Sequence, residues 1–305
     1  VDVNKTIQTN FWKMGEYSKA RRELIELDEK ENYDVIFSDF EPSTSIVGRK
    51  LKKIVIGIDH QHAIFHPAAE EAPGKIHEKI GIKFVINVIF PYFSHCFSID
   101  YTSSIQTVDN ITIFPLIWKP EFDHYDIYQG EHFTVYLARY DPKAIVKVFS
   151  RFPNETFYIY GFNKKEQKGN VIFRETGRKE FLKDLVTSKA VIGNAGFSFT
   201  WEACILNKLI LALPHKNQFE QVTNAYRLQQ LNRAFVPDEL SEKSFAAFLD
   251  WGESMNFTPQ TKLVTLPPSA LMSRVYAFLE EELHTDLKTK RLHQEKERVL
   301  LRQKA

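Results

Sequence analysis

The chain has 305 residues, 43% of them hydrophobic and 26% charged, a composition that excludes an intrinsically disordered protein. Lys and Arg total 40 against 39 Asp and Glu, so the net charge of +1 gives no electrostatic reason to expect a nucleic-acid partner. No apolar stretch is long and uncharged enough to span a bilayer, and no secretory signal is visible. We therefore expect a cytoplasmic protein.

The first part of the chain alternates helical and strand patterns. Residues 15–31 have the spacing of an amphipathic helix. The apolar runs YDVIFSDF and KIVIGIDHQH end in polar residues, which is typical of buried parallel strands whose carboxyl ends reach solvent. Residues 73–94 predict a helix, and CFSIDY and NITIFP predict two more strands. This order of elements predicts a parallel sheet covered by helices.

A second cycle of strands and helices follows a linker. Residues 115–132 contain two prolines and a glycine without a clear period, which indicates the linker. The sequence therefore predicts two Rossmann-like α/β lobes with parallel sheets that face each other across a ligand-binding cleft. We expect these lobes at 1–117 and 118–265 and a helical tail at 266–305. The N-terminal lobe is expected to lack its first strand and loop, because the chain opens on a charged helical segment.

The segment KAVIGNAGFSFTWEACILN has the strongest functional pattern. A buried strand ends at Asn194-Ala195-Gly196, and a helix begins directly afterwards, with Ser198 or Thr200 available to cap it. The free amides and the dipole at such a helix start suit a diphosphate. Glu202 lies one turn into this helix, within reach of ribose hydroxyls.

A second polar cluster follows the next predicted strand. Glu220 and Gln221 stand near the start of another helix, where a carboxylate beside an amide can bind sugar hydroxyls. The residues NAGF, EA, NK, Pro214, EQ and NA between 194 and 225 resemble the donor-binding motif of GT-B glycosyltransferases. They are similar to the family 28 enzymes, which include the lipid II N-acetylglucosaminyltransferase, and to plant and animal UDP-glycosyltransferases. SDFEP and IDHQHAI further resemble the N-terminal lobe of a bacterial branch of that superfamily.

This resemblance implies a GT-B fold, a nucleotide-sugar donor, which is a co-substrate rather than a cofactor, and a donor site in the C-terminal lobe. Ribose would bind Glu202, the base would lie near residues 174–178, and Arg139 and Tyr140 would lie near the phosphates or the acceptor. The donor sugar would bind Glu220 and Gln221, and Asn224 would support their loop. The diphosphate would contact the turn, at Asn194, Gly196, Phe197 and Ser198.

The chain departs from the family pattern at two places. Family members usually have Gly-Gly where this chain has Asn194-Ala195-Gly196, and they open with a GxGH-type loop that has no counterpart here. A catalytic base is therefore sought at the strand ends of the N-terminal lobe. Asp39 or His60 is our hypothesis for the base of an inverting transfer. Helix capping or loop hydrogen bonding remains the alternative for each.

No metal site is predicted. His60, His62 and His66 lack a fourth ligand, and no Asp-x-Asp motif is present. Cys96 and Cys204 have apolar neighbours, which favours two buried thiols over a disulfide.

Residues 75–93 suggest a partner. Lysines at 75, 79 and 83 flank an apolar run, a pattern that fits either a core helix or a peripheral contact with an anionic membrane. A membrane contact would suit a lipid-linked acceptor. The sequence thus predicts a metal-independent glycosyltransferase. Two alternatives remain: a nucleotide-sugar 2-epimerase of the same fold, and a non-catalytic protein that binds a nucleotide sugar.

Overall fold

A computed structural model describes residues 14–65 and 72–284 of the chain. The chain divides into two compact units, 1–265 and 266–305. In the described part of the second unit, a single helix covers 268–284. The first unit holds two largely parallel sheets with helices around them, which confirms the predicted pair of Rossmann-like lobes. His66 and most of the charged tail lie outside the described residues.

The N-terminal lobe is built on a five-stranded sheet in the order β1-β2-β3-β5-β4. All neighbours are parallel except the edge strand β4, which runs antiparallel to β5. The carboxyl ends of β1, β2 and β3 therefore meet at one edge of the sheet. The elements are α1 (Met14–Glu31), β1 (Val35–Ser38), α2 (Pro42–Leu51), β2 (Ile54–Asp59), a 3-10 turn (Gln61–Phe65), α3 (Ile76–Ile89), β3 (His95–Ile99), β4 (Gln106–Val108) and β5 (Ile111–Phe114).

The segment predicted as a linker has a little regular structure. It contains the two-residue strand β6 (Leu116–Ile117) and a 3-10 turn (Pro120–His124) that begins at a proline. Proline suits the first position of a helical turn because it has no N–H to satisfy there.

The C-terminal lobe is built on a seven-stranded sheet, with β11 and β7 in the middle and β8 beside β7. Stacked phenylalanines fill its core, among them Phe149 and Phe157, whose ring centroids are 4.1 Å apart. The elements are β7 (His132–Tyr136), α4 (Pro142–Phe149), β8 (Thr156–Tyr160), β9 (Glu166–Lys168), β10 (Val171–Phe173), α5 (Arg178–Val186), β11 (Ala190–Gly193), α6 (Phe197–Ile205), β12 (Ile210–Ala212), α7 (Phe219–Gln230), β13 (Ala234–Phe235), α8 (Glu242–Glu253) and β14 (Thr265–Leu266).

Helix α3 is shorter than the 73–94 that the sequence predicted, and only one of its sides is packed. Ile86 is buried, whereas Ile80, Phe84 and Val88 are 61%, 69% and 60% exposed. Residues four apart lie on the same face of a helix, so these three form one exposed apolar row. Among the described residues, no helix is both long enough and apolar enough to cross a membrane.

Candidate active site

A cavity of about 870 Å³ lies between the two lobes, at the carboxyl ends of strands from both sheets. Asp39, His60 and Ile99 line it from the N-terminal side, directly after or at the ends of β1, β2 and β3. Ligands of parallel α/β sheets bind at this edge, because the loops there vary freely while the strands hold them in place. From the C-terminal lobe it is lined by Tyr136, Ala138, Arg139, Asn194, Gly196, Phe197, Ser198, Phe199, Trp201, His215, Gln218, Glu220 and Gln221.

The bend after β11 has the strand–turn–helix form that was predicted, but its details differ. Gly196, and not Ser198 or Thr200, is the N-cap of α6, and as a glycine it has no side chain with which to cap the helix. Thr200 instead donates back to the Gly196 carbonyl at 3.0 Å. The left-handed residue is Ala195, at φ 58°, whereas Gly196 has an ordinary φ of −66°. The amides at this helix start therefore have no side-chain cap of their own.

Gly193, the last residue of β11, is the glycine that packing requires. A Cβ atom there would lie 2.3 Å from the ring of Phe199, whereas a Cβ at Gly196 would meet nothing within 4 Å. The open space at Gly196 faces the cavity. A ligand can therefore approach the backbone closely at this second glycine.

Glu220 interacts with the start of α6. Its Oε1 accepts a long hydrogen bond of 3.4 Å from the amide of Phe197. A carboxylate at a helix N-terminus is stabilised by the unpaired amides and by the helix dipole. This position is thus one that favours an anion.

Three other predicted residues stabilise the loops of the cavity. Asn194 donates from Nδ2 to the carbonyl of Leu213 at 2.9 Å, which ties the bend to the end of β12. Asn224 donates to the carbonyl of Ala195 at 3.1 Å. The Oε1 atom of Gln221 accepts from the amide of His215 at 3.0 Å.

Tyr140 is not among the residues that line the cavity, although the sequence placed it there. Its ring packs near that of His215, at 5.9 Å between centroids, and against the core of the C-terminal lobe. Arg139 does line the cavity, in a left-handed conformation with φ 74°.

Glu202 lies in a second cavity of about 400 Å³, and so does not share one cavity with Glu220. The two cavities adjoin, since Tyr136, Ser198 and Phe199 line both. The segment between β10 and α5 is where the sequence analysis placed the nucleobase. Its residues Thr176, Gly177 and Arg178 line this second cavity.

The carboxylate of Glu202 is buried and fully paired. It accepts from Lys119 at 2.6 Å and from Arg178 at 2.7 and 3.1 Å. Glu121 shares Arg178 from the solvent side. A ribose hydroxyl would therefore join an existing ionic network and not meet an isolated carboxylate.

His60 is held tightly between the lobes. Its ring stacks on that of Phe197, with 3.4 Å between centroids and 3° between planes. Its Nδ1 lies 2.8 Å from the carbonyl oxygen of Ile99, an acceptor only. In neutral His60 the proton is consequently on Nδ1, and Nε2 carries the free lone pair.

The two acidic residues after β1 have different environments. Asp39 is exposed and lines the cavity. Glu41 caps α2 by accepting from the amide of Thr44 at 2.8 Å, which gives it a structural role.

His62 is buried in an internal network. Its Nδ1 lies 2.5 Å from Oδ2 of Asp59, and Asp59, His62 and Cys96 bring potential metal ligands within 4.8 Å of one another. Burial and the Asp59 carboxylate raise the pKa of Cys96 well above its usual value, so its thiol stays protonated. Sγ of Cys96 lies 3.7 Å from Oδ1 of Asp59, so hydrogen bonds join the three residues.

Both cysteines are free and buried, as predicted. Burial raises the pKa of Cys204 to about 12, which excludes it as a nucleophile at neutral pH.

The sequence pattern that defines glycosyl transferase family 1 matches residues 1–251 of the chain. The chain belongs to this glycosyltransferase family. The match is to family 1, and the expected likeness to the family 28 enzymes is not confirmed. No curated protein matches the chain.

Solved structures similar to this glycosyl transferase family 1 chain are GT-B enzymes, which confirms the predicted fold. The spinosyn rhamnosyltransferase SpnG is 14% identical, with a TM-score of 0.54 over 86% of this chain and 77% of that one. UGT2 of Phytolacca americana, complexed with UDP-2-fluoroglucose and pterostilbene, is 11% identical, with a TM-score of 0.53 over 79% and 72%. SnogD of Streptomyces nogalater is 14% identical, with a TM-score of 0.51 over 86% and 77%.

A pair of charged residues close to His60 was not predicted from the sequence. Asp100 follows β3 and forms an ion pair with Arg227 of α7, with 2.6 Å between Oδ2 and Nη1. The same strand-end pattern that indicated Asp39 and His60 also applies to Asp100. No local pattern indicates Arg227, because its partner is 127 residues away.

Proposed function

We propose that this chain transfers a sugar from a nucleoside diphosphate sugar to an acceptor hydroxyl, with inversion and without a metal ion. The observation that carries this proposal is the start of α6, which receives no cap from its own N-cap residue and whose backbone opens into the interlobe cavity. The first turn of an α-helix has amides without intrahelical partners, and these and the helix dipole stabilise a diphosphate. Glu220 at the amide of Phe197 supports the view that anions are favoured here.

The two adjoining cavities suggest how the donor lies. The nucleoside occupies the smaller one, with the base near Gly177 and the ribose near Glu202. The diphosphate crosses at Ser198 and Phe199, which line both cavities, and the sugar reaches Glu220 and Gln221 in the larger one. Complexes of the similar structures support a pyrimidine nucleotide, since SpnG was solved with thymidine diphosphate and UGT2 with a UDP sugar. We propose a UDP-sugar as the donor.

His60 is our candidate for the catalytic base. Its fixed tautomer leaves Nε2 as the proton acceptor, and His60 lines the cavity beside the proposed sugar position. The acceptor oxygen bonds to the anomeric carbon while its proton passes to His60. The bond from that carbon to the diphosphate oxygen breaks, and the nucleoside diphosphate leaves as an anion stabilised by the α6 amides and by Arg139. Asp39 is the second candidate at the same cavity.

The acceptor is proposed to have an apolar body. A further cavity of about 200 Å³, lined by Phe40, Ile82, Val85 and Ile86, adjoins the larger one through His60, Gln61 and Glu220. A cavity of roughly 150 Å³ accepts a benzene ring, so this one takes a group slightly larger.

A lipid-linked acceptor at a cytoplasmic membrane surface would suit α3. The exposed row of Ile80, Phe84 and Val88 lies next to lysines, and such a face inserts at the boundary of headgroups and acyl chains.

A donor screen followed by an activity assay tests the proposal. Thermal shift and calorimetry with UDP-, dTDP- and GDP-sugars should show one class that binds, and a ligand at 100 times its Kd stabilises by about 2.7 kcal/mol. Free nucleotide should then form only when an apolar alcohol or phenol is added. Interconversion of donor sugars in the absence of an acceptor would indicate a nucleotide-sugar epimerase. Binding of a nucleotide sugar without any turnover would indicate a non-catalytic protein. Failure of every nucleotide sugar to bind would refute the donor site itself.

A further inference from the structure

The carboxylate of Glu202 is bound by cations from two different segments. Lys119 belongs to the linker between the lobes, and Arg178 is the first residue of α5. The Oε1 atom of Glu202 is 2.6 Å from Nζ of Lys119 and 2.7 Å from Nη2 of Arg178. Its Oε2 atom is 3.1 Å from Nη1 of Arg178. Within the described part of the chain, Oε1 therefore accepts two hydrogen bonds and Oε2 accepts one.

This pairing limits how many further hydrogen bonds Glu202 can accept. Each oxygen of a carboxylate has two lone pairs. Both lone pairs of Oε1 are occupied, and one lone pair of Oε2 remains. A ribose has neighbouring hydroxyls at C2′ and C3′, and a free carboxylate could accept a hydrogen bond from each of them. In this site only one of the two hydroxyls can donate to Glu202.

Lys119 is held in place by more than its ion pair. Its ammonium lies over the Trp201 ring, 4.6 Å from the centroid, and Trp201 donates from Nε1 to the carbonyl of Ile117 at 2.8 Å. The side chains of Lys119 and Glu202 are 22% and 4% exposed, so water and salt screen their attraction little. A ribose hydroxyl that displaced Lys119 would leave the buried carboxylate with one cation fewer, which is unfavourable. The bound ribose should therefore leave this ion pair intact.

We propose that Lys119 is a positioning residue that restricts Glu202 to a single ribose hydroxyl. The donor site then takes nucleoside diphosphates of ribose and of one monodeoxyribose with similar affinity, because the second hydroxyl has no acceptor on Glu202. This inference rests on the proposed donor site, with the ribose in the cavity of about 400 Å³. A residue of the linker thus sets which nucleotides the C-terminal lobe accepts.

Calorimetric titration of the full chain with UDP, 2′-deoxy-UDP and 3′-deoxy-UDP tests this inference. In the wild type, one analogue should bind within about threefold of UDP and the other about tenfold or more weaker, because one hydroxyl alone donates to a charged acceptor. Lys119→Met frees a lone pair of Oε1 and keeps an unbranched side chain. Both analogues should then bind about tenfold or more weaker than UDP does. The affinities are compared within each variant, so a general loss of nucleotide binding cancels.

Lys189→Met is the matched control. Lys189 also combines a carboxylate with an aromatic ring, since its Nζ is 3.0 Å from Oε1 of Glu155 and 4.5 Å from the centroid of Phe257, but it lines neither donor cavity. This variant should keep the wild-type ratios. A wild type that loses tenfold for both analogues, or for neither, would overturn the proposal, and so would wild-type ratios in folded Lys119→Met. Should Lys119→Met not fold, the two wild-type ratios decide alone.

The same titrations separate this inference from the proposed function. If UDP binds but no sugar is ever transferred, the proposed transferase activity fails, whereas the analogue ratios still decide the role of Lys119. If UDP binds and sugar is transferred but the ratios differ from those expected, the inference alone fails. If UDP does not bind, the donor site is refuted and the inference with it.

Discussion

Gly193 and Gly196 lie on either side of the bend between β11 and α6, and alanine should affect stability at the first and nucleotide binding at the second. An alanine Cβ at Gly193 would lie 2.3 Å from one ring atom of Phe199 and 2.8 Å from another, so the ring or the start of α6 must move. Overpacking of this kind costs about 1–3 kcal/mol. The smaller entropy of the unfolded chain returns about 0.4–1 kcal/mol, which leaves a net loss of roughly 0–2.6 kcal/mol for Gly193→Ala, with a mid-range value of about 1.3 kcal/mol.

The mid-range loss corresponds to a decrease in Tm of about 3–5 °C, at roughly 2–4 °C per kcal/mol. Gly196→Ala should leave Tm almost unchanged, because its Cβ meets nothing within 4 Å and its φ of −66° suits alanine. The new methyl group should instead obstruct the diphosphate and weaken donor binding about tenfold or more, which corresponds to roughly 1.4 kcal/mol.

Differential scanning fluorimetry and calorimetric titration with a nucleoside diphosphate measure the two effects. Normal stability of Gly193→Ala would refute the packing described at Phe199. Unchanged nucleotide affinity of Gly196→Ala would refute the bend as the diphosphate site.

Four further predictions follow. Glu202→Gln should weaken nucleotide binding in calorimetry more than Glu121→Gln does, because Glu202 is the buried partner of Arg178 and Glu121 the more exposed one. His60→Gln should lower kcat by about 10²–10⁴-fold with little change in donor Kd, and an unchanged kcat would exclude it as the base. Burial lowers the pKa of Lys208 to about 8, so between about pH 8 and 10 the unfolded chain binds more protons and stability rises with pH. The Tm of the wild type should therefore increase relative to Lys208→Met across that window. Phe84→Glu should reduce sedimentation with anionic vesicles, and equal sedimentation would argue against α3 as a membrane contact.

The sequence predicted the elements of the site because their signals are local. The buried run AVIG followed by Asn-Ala-Gly predicted a strand, a bend and a helix in the right order, and the structure has β11, the bend and α6 there. The polar residues after YDVIFS and KIVIGID predicted which side chains reach the cleft, because carboxyl ends of parallel strands share one edge. Asp39 and His60 both line the cavity.

Contacts between distant segments could not be predicted in the same way. Glu202 was expected to be open to a ribose, but Lys119, 83 residues away, and Arg178 already bind it. Ser198 and Thr200 were wrongly expected to cap α6, whose N-cap is Gly196. The residue at which a helix starts depends on the turn before it, and the left-handed φ of Ala195 in that turn was not predicted. Tyr140 was expected near the phosphates or the acceptor together with Arg139, but only Arg139 lines the cavity. The left-handed φ of Arg139 was not predicted.

The position of a bound nucleoside diphosphate decides whether the start of α6 is the diphosphate site. In a crystal structure of the complex, we predict diphosphate oxygens within about 3.2 Å of the backbone amides at Ser198 and Phe199, the usual limit for an N–H···O hydrogen bond. The base should lie in the cavity beside Gly177. A diphosphate bound elsewhere in the cleft, with those amides facing solvent, would contradict the account.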